Sequence, residues 1–377
     1  MHSRYPYRSG TLPNRVLVLT LFCVLLALVL VEAHKRYWPD ALNQEKVAAA
    51  RLMQQSINIV KAEKIRAGIE IDPLVDIHRT GMIGPRYNDL TTTVGSLASK
   101  RTSTNPAFAA AVVEMLDQVG AQRGDPVAVS FSSSFPALNI AVLSALRALG
   151  LEPVIVSSVG ASMYGASDPG MTWLDMESLL TENRVFSHRS AAASLGGIVD
   201  TQGGIDGTGI GLGLEAIQRN HVPLLQEGGA PAQRHDIRNR LDLYDRALHG
   251  VKPVAFINVG ASQTALGSSP EVYRLAPGLL KNIPVTDDPD RGIIFHMSER
   301  GIPVIHLLKI RSLARQFNIP FDPVPLPQFV HGSTITGARH SKPVALMALL
   351  ALLAIMACGK YYGRTKVSAG IAPHPVA

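Results

Sequence analysis

"PVAVSFSSSFPALNIAVLSALRALGLEPVIVSS", residues 126–158, decides the fold. Pro126 to Phe131 form a short, almost wholly apolar run, the pattern of a strand covered on both faces. Three serines, Ser132, Ser133 and Ser134, break it. Pro136 then presets the first turn of a helix, and Gly150 supplies the left-handed residue that ends one. "EPVIVSS" is a second apolar strand. Strand, small polar turn, helix and strand make a βαβ unit, whose strands run parallel with a right-handed crossover.

The pattern recurs outward from that unit. "GGIVD" (196–200) reads as a third strand, followed by "TQGGIDGTGIGLG" and a helix to about Asn220. "KPVAFIN" (252–258) and "GIPVIHLL" (301–308) read as further strands. Upstream, Asn105 caps a helix with Pro106 at its start and Gly120 at its close. Within "DALNQEKVAAARLMQQSINIVKAEKIRAG" (40–68), Leu42, Ala49, Met53, Ile57 and Val60 fall at helical spacing. That segment is either a stalk or the first helix of the domain. "IPFDPVPLPQF" (319–329) is Pro-rich and extended. The expectation is an α/β domain over 69–329, with a mostly parallel, Rossmann-like sheet flanked by helices.

Each end of the chain carries a hydrophobic run. "VLVLTLFCVLLALVLVEA" (16–33) has Glu32 as its only charge and follows Arg4, Arg8 and Arg15. It reads as a retained membrane anchor in preference to a cleaved signal peptide, because the run is long and no clean cleavage site follows. "PVALMALLALLAIMACG" (343–359) lies between Arg339/Lys342 and Lys360/Tyr361/Tyr362/Arg364, as an interfacially flanked span does. The expected order is a basic tail (1–15), a transmembrane helix (16–33), the helical segment (34–68), the domain (69–329), a linker (330–342), a second transmembrane helix (343–359) and a basic tail (360–377). Both termini then share one side of an inner, cytoplasmic membrane, and the domain is extracytoplasmic.

The net charge of +7 does not belong to the domain. The excess flanks the apolar ends, and 34–338 carries as many acids as bases. A neutral domain without interleaved aromatic and basic residues argues against nucleic acid. The two cysteines, Cys23 and Cys358, both fall in the proposed spans, so no disulfide framework or thiolate metal site is expected. No His/Glu metal motif occurs, and no metal or cofactor is expected.

In open parallel sheets, ligands collect at the carboxyl ends of the strands. Here nearly every such end is small and polar. Ser158, Gly160 and Ser162 follow the second strand; Asp200, Gly203, Gly204, Asp206 and Gly207 follow the third; Asn258, Gly260 and Ser262 follow the fourth. Val-Gly-Ala-Ser stands twice, at 159–162 and at 259–262. Short turns need Gly and Ser for conformational reasons alone. Several converging turns, with Asn139 behind them, fit one cleft lined by neutral hydrogen-bonding groups. Lys100 and Arg101, in "KRTSTN", suit a carboxylate or a solvated loop.

"GTGIGLG" (207–213) has the wrong glycine spacing for a dinucleotide and suits a glycine-rich helix start. "QRHDIRNRLDLYDRA" (233–247) reads as a charged helix face with internal ion pairs. Ser132, Ser133 and Ser134 are candidate nucleophiles on a sharp turn. Their alternative role is capping and ligand bonding. A base for them would come from the scattered His188, His221, His235, His296 or His306, or from a lysine.

"LTTTVGSLASKRTSTNPAFAAAVVEML", "FPALNIAVLSALRALGLEPVIVSSVGAS" and "DPGMTWLDMESLL" resemble the bacterial poly-gamma-glutamate system protein family, over roughly Asp72 to Phe329. The resemblance implies a membrane-anchored accessory protein of poly-γ-glutamate synthesis or export. Its partners would be the membrane, the polymer's ligase complex and the polymer itself. The resemblance brings no catalytic residues. The residues leave a second reading open, a serine-type amidase or transferase acting on γ-glutamyl chains.

Overall fold

The computed structural model describes residues 14–33, 36–37, 42–196, 205, 207–225, 232–268, 270–284, 287–327, 338–339 and 342–368. The chain divides into two compact units, Met1–Asp40 with Thr336–Ala377, and Ala41–Ile335.

In the first unit, helix α1 (Asn14–Ala33) lies against the last helix (Lys342–Ser368). Arg36–Tyr37 pairs antiparallel with Ala338–Arg339. The two helices coincide with the expected spans. Among the described residues, no helix is long and apolar enough to cross a membrane. Side chains at 14–17, 19, 32–33, 342, 356 and 358–368 lie outside the described set.

The second unit is an α/β fold. Its sheet holds β1 (Pro126–Ser132), β2 (Glu152–Ser158), β3 (Ser190–Ser194), β4 (Ala255–Val259), β5 (Gly278–Leu280) and β6 (Val304–Leu307). The spatial order is β3-β2-β1-β4-β6-β5. All neighbours are parallel except β5 on β6. The first βαβ unit places β2 on one side of β1, and the chain later returns to lay β4 on the other. The strand order reverses at β1, so a crevice opens beyond the carboxyl ends of β1 and β4.

The remaining helices, in order, are α2 (Asn43–Arg66), α3 (Leu97–Ser103), α4 (Ala107–Gln118), α5 (Pro136–Leu149), α6 (Trp173–Glu182), α7 (Gly207–Arg219), α8 (Ala232–Ala247), α9 (Gln263–Leu266), α10 (Ile293–Glu299) and α11 (Ile310–Gln316), with α12 the Lys342–Ser368 helix of the first unit. Successive strand residues face opposite sides. Val127, Val129, Phe131, Ile155 and Ile257 therefore pack with α2, α4 and α5. Ala128, Val156, Phe256 and Val304 pack with α8 and α10. With both faces covered, apolar side chains are buried at successive positions of a strand. α2 packs on α4 and α5 through Ala49, Met53, Ile57 and Val60. It is a domain helix, not a stalk.

The punctuation works as the residues dictate. Pro136 opens α5, and Gly150 closes it at φ 69°. Asn105 accepts the Ala107 amide at 3.0 Å, at the start of α4.

Two local readings need correction. The third strand is Ser190–Ser194, upstream of the expected 196–200. "SAAAS" has no branched or aromatic residue to announce a strand; it is held by pairing with β2 and packs near Ala216 and Ile217 of α7. Residues 197–200 lie outside the described set. The second correction is α8. Arg238, Asp242, Asp245 and Arg246 do form a solvated charged face, but Asp236, Arg240 and Tyr244 recur every four residues on the opposite side and are buried. Tyr244 donates to the Val129 carbonyl at 2.7 Å, and Arg240 to Ser194 Oγ at 2.6 Å. Those bonds let a polar stripe lie against the sheet.

Candidate functional site

A cleft of about 620 Å³ lies at the carboxyl ends of β1, β2, β4 and β6. Ser132 and Ser134 enter it from the β1 turn, Ser158, Gly160 and Ser162 from the β2 elbow, and Ser262 from the β4 elbow. Thr92, Thr93, Ser96 and Ser99 form another wall. Lys100 and Lys309 supply its charge, and no acidic residue is among the described residues that line it.

The two Val-Gly-Ala-Ser elbows line this one cleft, with different duties. In the second, Gly260 has φ 88°, and a Cβ there would come within 2.8 Å of Ser132 Cβ. Ser262 caps α9, its Oγ accepting from Ala265 N at 3.3 Å. In the first, a Cβ at Gly160 would lie 2.6 Å from Thr92 Cγ2 and 2.9 Å from the Leu195 carbonyl. Ala161–Ser162 pairs in parallel with Thr91–Thr93. Ser162 caps no helix. Its hydroxyl oxygen lies 2.7 Å from Lys100 Nζ.

Lys100 stands on α3, nine-tenths or more buried. Its amine also bonds the Ser134 carbonyl and lies 4.0 Å from the Phe135 ring centroid. Burial, with no carboxylate offsetting it, pulls the amine down to about 7. Lys309, beyond β6, donates to the carbonyls of Tyr273 and Leu275 at 2.8 Å each.

The β1 serines form a scaffold. Ser133 Oγ donates to the Ser158 carbonyl at 2.7 Å and is fully buried. Ser132 Oγ donates to Ser134 Oγ at 2.9 Å and accepts from Ser134 N at 3.1 Å. Ser134 Oγ also accepts from Ser162 N at 3.0 Å. Asn139 does not line the cleft; buried in α5, it donates to the Ser132 carbonyl at 3.1 Å. Among the described residues, neither a histidine nor a lysine amine bonds the hydroxyl of Ser132, Ser133 or Ser134.

Asn258 is also structural. Its amide donates to the Gly260 carbonyl at 2.9 Å and to His306 Nδ1 at 3.1 Å. An amide nitrogen only donates, so Nδ1 accepts and the imidazole is neutral. Burial, reinforced by Lys309, holds His306 down to about 4. Arg101 turns away from the cleft to pair with Asp322. Gly207 does not line the cleft. Asp200, Gly203, Gly204 and Asp206 lie outside the described residues. In α7, a Cβ at Gly209 would meet the Asp89 carbonyl at 2.1 Å and one at Gly213 would meet Leu195 Cδ2 at 2.7 Å, so these glycines serve close packing.

The sequence passed over Lys309, Thr92 and Thr93. Lys309 had a signal, since it follows a strand end as the named candidates do. Lys100 and Ser162 both stood out, but 62 positions separate them and nothing local linked them.

No family model, curated protein or solved structure matches the chain.

Proposed function

We propose that this chain is a membrane-anchored accessory protein of poly-γ-glutamate synthesis or export, whose α/β unit holds a γ-glutamyl chain in the cleft. One observation carries the binding reading. The cleft sits at the switch point of a parallel sheet, its described lining has hydroxyls and two lysines, and no acid stands among them. Such a lining favours a ligand that brings its own carboxylates and has amide groups for the serines and threonines. The polymer assignment rests on the resemblance of residues 90–116, 135–162 and 168–180.

The anchor reading has separate support. In α1, Val18, Leu21, Phe22, Val24, Leu25, Leu26, Leu28, Val29 and Leu30 are exposed over most of the helix's circumference; in α12, Leu346, Met347, Leu349, Leu350 and Leu353 are exposed on one broad face. Exposed apolar surface that wide suits lipid better than water. The ligase complex is then a partner within the same membrane, and the domain faces outward.

The test uses the full chain in detergent micelles, titrated calorimetrically with γ-linked and α-linked glutamate oligomers. The γ-linked oligomers bind, and added salt weakens the binding. Lys309→Met lowers affinity about 10-fold, as loss of a charge-assisted contact does. Absence of heat with γ-linked oligomers, in protein that melts cooperatively, refutes the reading.

A further inference from the structure

We propose that Ser162 and Lys100 form a nucleophile and base pair that performs acyl transfer on an amide held in the cleft. The inference rests on the cleft reading for its substrate class, an amide beside carboxylates, and on geometry for the pair itself.

One feature sets Ser162 apart from the other serines around it, and two more suit it to the part. Its hydroxyl bonds an amine, at 2.7 Å, where Ser133 bonds a carbonyl and Ser262 caps a helix. Its backbone is fixed from several sides, by the Ser134 hydroxyl on its amide, by Gly165 N on its carbonyl at 2.9 Å, and by Met163 N on the Thr93 carbonyl. It opens on the cleft. A nucleophile needs such fixed placement beside a base.

Lys100 is equipped for the base's part. Its Nζ is confined by the Ser134 carbonyl and the Phe135 ring, and no carboxylate among the described residues pins it as a cation. An amine pulled down to about 7 is unprotonated in much of the population at neutral pH. Neutral Nζ has one lone pair to take the Ser162 proton and keeps a hydrogen for the Ser134 carbonyl. Ser134 contributes a donor. Its Oγ already accepts from Ser132 Oγ and Ser162 N, and its own hydrogen has no acceptor among the described residues. That hydrogen is free for an oxygen that gains charge beside Ser162.

The steps balance without an oxidant or reductant. Ser162 Oγ bonds the amide carbonyl carbon as its proton passes to Lys100 Nζ. The C–N bond breaks as Nζ returns that proton to the departing nitrogen, leaving an ester on Ser162 and a free amine. Water, or a second amine, attacks the ester. Lys100 takes the attacker's proton and hands it to Ser162 Oγ. The products are a carboxylic acid with water, or a new amide with an amine.

The test uses the full chain in detergent micelles and a fluorophosphonate, which bonds activated serine hydroxyls. The expected result is one adduct, mapped by mass spectrometry to Ser162, forming faster as pH rises through about 7. Ser162→Ala abolishes it. Lys100→Arg keeps the charge, cannot act as base, and slows labelling about 100-fold. Lys100→Met serves as the second variant should arginine not pack, with cooperative melting as the check on both. No adduct at Ser162 in folded wild-type protein, or labelling indifferent to Lys100, overturns the pair. If labelling fails while γ-linked oligomers still bind, the inference falls and the binding reading stands. If Ser162 labels while those oligomers neither bind nor shorten, the pair stands and the polymer reading falls.

Discussion

Arg101 holds Asp322 through two parallel bonds, Nε to Oδ1 at 2.7 Å and a terminal nitrogen to Oδ2 at 2.6 Å, across 221 positions of sequence. The Asp322 amide donates to Thr102 Oγ1 at 2.9 Å, so one loop residue ties two consecutive positions of α3. Successive helical residues diverge by about 100°. Lys100 therefore faces the cleft while Arg101 faces the loop. Both partners are part-buried, so the pair contributes more than a fully exposed one. Asp322→Asn is expected to cost about 1–2 kcal/mol and to lower the melting midpoint by about 2–5 °C. An unchanged midpoint would show that the pair holds nothing in place.

The glycines of "GTGIGLG" divide by what surrounds them. Gly211 has open space where a Cβ would stand, whereas Gly209 and Gly213 face the Asp89 carbonyl and Leu195. Gly211→Ala should stabilise by about 0.5–1 kcal/mol, through helix propensity alone. Gly209→Ala should destabilise by about 1–3 kcal/mol, because backbone on both sides must shift. Urea unfolding of the two variants gives the comparison. Equal effects would contradict the packing role and reopen a ligand role for the loop.

The βαβ unit was legible because each of its signals is local: apolar runs, Pro136 at a helix start, Gly150 at its end. The cleft was legible in outline for the same reason, since small polar residues at strand ends mark where a parallel sheet receives ligands. What escaped depended on distant partners. "SAAAS" is a strand only because β2 lies beside it. Asp236 and Arg240 look solvent-bound until α8 turns them toward the sheet. Ser132, Ser133 and Ser134 read as candidate nucleophiles from their place on a sharp turn, but their bonds to one another and to the Ser158 carbonyl become visible only in the fold. Ser162 becomes distinctive only when α3 brings Lys100 to it.

Two buried groups give opposite pH limbs. Glu177, wholly buried on α6, accepts from Ser190 N at 2.9 Å and Ser190 Oγ at 3.0 Å, and burial pushes its carboxyl up to about 7. Between its ordinary 4.5 and about 7, the folded state holds a proton that the unfolded state has lost. Its contribution to stability thus falls as pH rises through that window. Lys100 behaves in reverse. Between about 7 and its ordinary 10.5, the unfolded chain is the one holding the extra proton, so stability rises with pH. His306, held down to about 4, contributes stability that rises with pH over much of the same lower window, so urea titrations across pH should show Glu177→Gln making stability climb more steeply there than in wild type, by on the order of 3 kcal/mol. Lys100→Met should shallow the upper limb, leaving the part that comes from Lys64, whose amine burial also pulls down. A wild-type slope retained by either variant would contradict the assignment of that limb.

The two Val-Gly-Ala-Ser elbows allow a matched comparison, with the same deletion of one oxygen in the same four-residue context. Ser262 Oγ caps α9 and bonds neither Ser162 nor Lys100. Ser262→Ala should cost about 0.5–1 kcal/mol, the loss of an N-cap on a short helix, and still give the fluorophosphonate adduct at Ser162. Ser162 Oγ meets Lys100, whose desolvated amine gains little from a neutral hydroxyl. Ser162→Ala should shift stability by about 1 kcal/mol or less while abolishing labelling. Melting curves and labelling rates on both variants separate the duties. If the two substitutions gave the same pair of readouts, the repeated motif would be turn chemistry at both positions, and Lys100 would be a buried cation with no hydroxyl to activate.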